Sequence, residues 1–191
     1  MADSFMPTSA EYVRILPEII LTLAGVLIMF LEAVLKERQK AILAPISVLG
    51  LAGALAGAMV ANGDPGPAFH DMIVVDGFAT FFRVLVIAVG LLAIFASTEY
   101  LKREGAGGGE FFALVLFSVA GQSIMAASNE LIMIFIGLEI SSIASYILAG
   151  YLRDDKRNNE SALKYFCWDR LPRRFCCTGS RGFTGSRDRR I

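Results

Sequence analysis

Glu139 is the residue whose position most clearly suggests chemistry. It is the single carboxylate in an apolar run, Leu131–Leu152. It lies eight residues past Leu131, so about 12 Å along a helix, close to a bilayer midplane. A carboxylate at that depth is costly when charged; it must face a bundle interior, find a cationic or polar partner, or stay protonated. A group held between burial and a cation can take up and release protons. The plainer reading is a neutral Glu bonding helix to helix through Ser141, Ser142 or Ser145; position alone favours proton handling over it.

The remaining ionisable residues offer less. Glu18 and Glu32 lie within about a turn of the ends of another apolar run, where a side chain reaches the interface. Arg83 lies about 9 Å into a third, placed either to snorkel outward or to pair with Asp76. His70 is the sole histidine, so no histidine cluster exists for a metal or haem, and Cys167, Cys176 and Cys177 lack metal-site spacing. No dinucleotide fingerprint, nucleophile elbow or flavin motif is present. The segment Gly105-Ala106-Gly107-Gly108-Gly109 lacks the Lys-Ser/Thr of a phosphate loop and reads as a turn. The chain is expected to bind no cofactor or metal itself.

The elements that must position Glu139 follow from hydropathy. The chain has 191 residues, of which 55% are hydrophobic and 19% charged, and its mean hydropathy is +0.57. That excludes disorder for most of the chain and an ordinary soluble domain. Five runs are long and apolar enough to cross a bilayer as helices: 15–35, 41–61, 77–98, 111–128 and 131–152. None alternates as a barrel strand does. The expected fold class is therefore all-α, a polytopic membrane bundle of five helices.

The links support that division. Asn62-Gly63-Asp64-Pro65-Gly66-Pro67 breaks the second span from the third. Ser128-Asn129-Glu130 is so short that the fourth and fifth spans must be antiparallel neighbours. Gly50, Gly53, Ala54 and Gly57 form a small-residue stripe, expected to pack inside the protein rather than to dimerise. Basic residues gather after the first, third and fifth spans, and none lies in the links after the second and fourth. The positive-inside rule then puts the N-terminus outside and the segment after Leu152 in the cytoplasm. The acidic start carries no recognisable cleavable signal peptide.

Four sets of residues carry a resemblance. They are Pro17-Glu18-Ile19, Asp76-Gly77-Phe78-Ala79-Thr80-Phe81-Phe82, Asn129-Glu130-Leu131 with Gly137-Leu138-Glu139, and Glu160-Ser161-Ala162-Leu163-Lys164-Tyr165-Phe166. In this order they resemble the N-terminal part of the subunit N family of proton-pumping NADH-quinone oxidoreductase, respiratory complex I, over residues 1–166. The resemblance implies an antiporter-like membrane-arm subunit, multi-pass in a bacterial inner membrane. Its partners would be the other membrane subunits and the lipid bilayer, with no nucleic acid. NADH, flavin, iron–sulfur clusters and quinone would belong elsewhere in the complex. Glu139 would be the proton-transfer carboxylate and Lys164, at the start of a sixth helix, its charge partner. An antiporter subunit of a cation/proton exchanger or membrane-bound hydrogenase shares this logic, and a non-transporting scaffold is the third reading.

Residues 167–191 have a different composition. They carry seven Arg against two Asp, a net of +5, where residues 1–166 carry a net of −5. A basic lipid-binding tail would have this composition. The family instead continues into an apolar helix, and back-translation with permitted codons recovers one after a single-base shift. The expectation is a segment out of frame, truncating a subunit that would not pump alone.

Overall fold

The computed structural model describes residues 9–35, 42–69, 71–104, 108–152 and 157–168. Its helices are α1 (Ser9–Arg14), α2 (Leu16–Val34), α3 (Leu43–Ala61), α4 (Gly77–Glu104), α5 (Gly109–Ala127) and α6 (Leu131–Ala149). Residues 157–168 are also helical and are designated α7. The strands β1 (Gly66–Ala68) and β2 (Ile73–Val75) lie between α3 and α4. Among the described residues five helices, α2 to α6, are long and apolar enough to cross a membrane. The chain divides into two compact units, Met1–Ser145 and Tyr146–Ile191.

Within the first unit α2 packs on α3 and α5, and α4 packs on α3 and α5. Helix α5 is buried on most of its circumference, including Phe112, Leu116, Val119, Ala120 and Ser123. That is how a helix enclosed by neighbours reads. The expected small-residue stripe lies against α2: a Cβ on Gly50 would stand 2.8 Å from Ala24 Cβ, and one on Gly57 3.2 Å from Ile20 Cδ1. Small residues here let two backbones close up, as in lipid-embedded helix pairs generally.

The expected spans are recovered with two differences. Helix α4 continues past residue 98 to Glu104, because Glu99-Tyr100-Leu101-Lys102-Arg103 is polar yet favourable for helix. The segment read as a plain breaker is an antiparallel hairpin, pairing Gly66 with Val75 and Ala68 with Ile73. Its turn uses left-handed backbone at Phe69 (φ 53°) and Asp71 (φ 66°). Glu11 accepts a hydrogen bond from the Phe69 N–H at 3.1 Å. Arg14 donates to the Asp64 carbonyl at 3.1 Å and to the Pro67 carbonyl. Short helix α1 thereby clamps the hairpin.

The hairpin also closes one end of the bundle. Ala68 and Ile73 pack with Ala79 and Ala127 in a small apolar cluster edged by Ile15, Phe69 and Met133. The Asn129 N–H donates to the Met72 carbonyl at 2.9 Å, and its amide to the Asp71 carbonyl at 3.0 Å. The tight α5–α6 turn is thus stitched to the hairpin, and α5 and α6 run antiparallel as their three-residue link requires. In the second unit the Tyr146 ring meets Tyr165 and Phe166 of α7, with centroids 5.1 and 5.5 Å apart.

Candidate functional site

Glu139 lies at the middle of α6 and is half-buried. A polar seam joins α5 and α6 through Ser141, two residues on from Glu139 and so on another side of α6. Ser118 Oγ and Ser141 Oγ stand 3.2 Å apart, and the Gln122 amide donates to both, at 3.3 and 3.2 Å. The helices come this close because Gly121 and Gly137 face each other. A Cβ added to either would lie 2.7 Å from the other's carbonyl oxygen. The serines named as alternative partners for Glu139 have bonds of their own. Ser141 joins the seam, Ser142 donates to the Leu138 carbonyl at 2.6 Å and Ser145 to the Ser141 carbonyl at 2.9 Å.

Lys164 lies on α7 and is 74% exposed, its ammonium 2.6 Å from Glu160 one turn earlier. It belongs to the second unit and Glu139 to the first. Residue 70, residues 105–107 and everything beyond Trp168 lie outside the described residues; Cys167 is exposed. Among the described residues no group of three or more His, Cys, Asp and Glu side chains gathers.

Two expectations are overturned. Glu18 does not reach an interface but is 4% exposed, and Arg83 neither snorkels nor pairs with Asp76 but is completely buried. Arg83 Nη2 lies 2.7 Å from Glu18 Oε1, and Ser123 on α5 donates to that same oxygen at 2.7 Å. Asp76 has other work: its Oδ1 accepts the Ala79 N–H at 2.7 Å, capping the first turn of α4. The physical reason is side-chain reach. Glu18 follows the start of α2 by two residues, Arg83 follows Gly77 by six, and Ser123 precedes the end of α5 by four. All three helix ends lie on the hairpin side, so the long Arg83 side chain, leaning back toward the N-terminal end of α4, meets Glu18, and pairing there is far better than separate burial. Opposite charges near the same-side ends of two apolar spans were the signal available in the sequence.

The geometry thus defines a polytopic helical membrane protein with a mid-span carboxylate and a buried ion pair. The sequence profile described as NADH:quinone oxidoreductase/Mrp antiporter, TM, matches residues 128–176, which include α6 and Glu139. NADH-quinone oxidoreductase subunit N 1 of Solibacter usitatus is 57% identical over 166 residues, 87% of this chain and 34% of the relative. Subunit N of Trichlorobacter lovleyi is 37% identical over 152 residues, 80% of this chain and 31% of that one. A chain of respiratory complex I from Thermus thermophilus, solved with bound Aureothin, superposes with a TM-score of 0.71 at 28% identity, covering 88% of this chain and 36% of that chain. The chain belongs to the subunit N family of NADH-quinone oxidoreductases and spans about a third of the length of these relatives.

Proposed function

We propose that this chain works in the membrane arm of a proton-translocating NADH-quinone oxidoreductase, among its other membrane subunits. Glu139 is the proton-transfer carboxylate in this reading, and Lys164 its charge partner. NADH, flavin, iron–sulfur clusters and quinone belong to the rest of the complex, and this chain carries none of them. The observation that carries the reading is Glu139, a half-buried carboxylate at mid-height of the apolar helix α6. An ionisable residue held inside a membrane span is costly and marks a proton or ion path.

The test is Glu139→Gln in the complete subunit, assembled in its complex in membranes. The expected result is a several-fold loss of proton flux with assembly retained. Unchanged proton flux and quinone reduction return Glu139 to a structural role. The profile's description also names Mrp antiporters, which favours a cation/proton exchanger as the second reading. Neighbouring genes for quinone-site subunits, or for exchanger subunits, separate the two. The reading of residues 167–191 as out of frame rests on their composition, and resequencing the gene from the Lys164 codon onward tests it.

A further inference from the structure

The buried ion pair has more hydrogen-bonding capacity than the protein around it uses. Glu18 Oε1 receives both Ser123 Oγ and Arg83 Nη2 at 2.7 Å, crowding two partners onto one oxygen. Glu18 Oε2 is buried without a donor among the described residues, and Arg83 Nε and Nη1 are buried without an acceptor. Nη2, although close to Oε1, directs no N–H along a well-aligned hydrogen bond. A guanidinium carries five N–H groups in a rigid planar fork. Buried groups of this kind are, with few exceptions, partnered by protein or by ordered water. Polar surroundings and several convergent partners are what hold water inside a protein.

A polar file leads toward this place from the hairpin end. Asn62, exposed at the end of α3, has Oδ1 3.2 Å from Thr80 Oγ1, which also lies 2.9 Å from the Asp76 carbonyl. Thr80 is one turn before Arg83 on the same side of α4. Asn62, Thr80, Arg83, Glu18 and Ser123 therefore form a descending series, from an exposed amide to a fully enclosed guanidinium, on α2 to α5. Glu139, on α6, takes no part in it.

We propose that Glu18, Arg83 and Ser123 form a hydration site inside the bundle, binding ordered water that enters past Asn62 and Thr80. One water bridges Arg83 Nε or Nη1 to Glu18 Oε2, completing the pair that the protein atoms leave half made. The site depends on neither the role of Glu139 nor the identity of the complex.

The test is a density map of the unaltered protein in its assembled complex, in lipid, at a resolution that shows ordered water. The expected result is water within about 3.2 Å of Arg83 Nε or Nη1 and of Glu18 Oε2. A map in which these atoms bond protein carbonyls, or lie against apolar side chains with no water density, overturns the proposal. A second map, of Thr80→Val, should keep the Glu18–Arg83 contact and lose the water nearest residue 80. Retention of every water there overturns the entry path.

Discussion

Gly121 and Gly137 meet backbone to backbone across α5 and α6, each occupying the place where the other's carbonyl oxygen would strike a side chain. Their contact sets the spacing at which Gln122 spans both Ser118 and Ser141. The polar seam between α5 and α6 is therefore a consequence of two missing side chains. A helix pair in lipid has no hydrophobic drive of its own and depends on such close approach.

Gly121→Val should force α5 and α6 apart, since the 2.7 Å approach to the Gly137 carbonyl leaves no room for a branched side chain. Overpacking of this kind costs about 1–3 kcal/mol. Cysteines replacing Ser118 and Ser141, whose hydroxyls lie 3.2 Å apart, should cross-link readily under mild oxidation. The cross-link should weaken or vanish once Gly121→Val is added. Equal yields with and without it would show that the glycine pair does not set the spacing.

Asp76→Ala should fray the first turn of α4, because Asp76 Oδ1 accepts the Ala79 N–H. Loss of such a cap costs about 0.5–2 kcal/mol. The measurement is thermal unfolding in detergent together with proteolysis near the hairpin. Asp76→Asn should retain most of the stability, since an amide oxygen accepts the same bond. If the alanine and asparagine variants behave alike, the cap contributes nothing.

The sidedness read from basic residues predicts that α4 carries the chain from the outer face to the cytoplasm. At about 1.5 Å per residue its 28 residues are long enough to do so. With the native cysteines replaced by serine, Asp71→Cys should label from outside and Arg103→Cys only from the cytoplasmic side. Both positions are exposed, Asp71 in the hairpin turn that precedes α4 and Arg103 in the last turn of α4. Labelling of both from one side would break the five-span topology.

Much of this architecture was legible in the sequence, and the reasons differ by element. The five spans were visible because bilayer thickness sets a minimum apolar length, and no tertiary information is needed to count it. The antiparallel α5–α6 pair followed from the three-residue link, Ser128-Asn129-Glu130. The hairpin was missed because three-residue strands bearing Gly66 and Pro67 have little propensity of their own. Arg14 and Glu11, 53 and 58 positions from the Pro67 carbonyl and Phe69 N–H they bond, hold it. Helix α4 ran on beyond its apolar stretch because hydropathy marks a membrane core and not the end of a helix. Glu139 was singled out by its isolation. Glu18 and Arg83 taken singly each look able to reach an interface, and only their pairing explains how either is buried.

Glu18 and Arg83 should behave as one unit in a double-mutant cycle. Removing one partner of a buried pair leaves an uncompensated charge and costs about 3–5 kcal/mol. Glu18→Leu alone strands a guanidinium that has no other charged partner among the described residues, and Arg83→Met alone strands the carboxylate with only Ser123. Replacing both removes the desolvation cost together with the attraction, so the double variant should recover much of the stability lost by either single one. Thermal midpoints of the four proteins, purified in the same detergent, give the coupling directly. Additive losses would mean that the two side chains do not interact in the folded protein, and the 2.7 Å contact would then carry no energy. A large coupling would identify this pair as the tie that holds α2 against α4, with Ser123 extending the tie to α5.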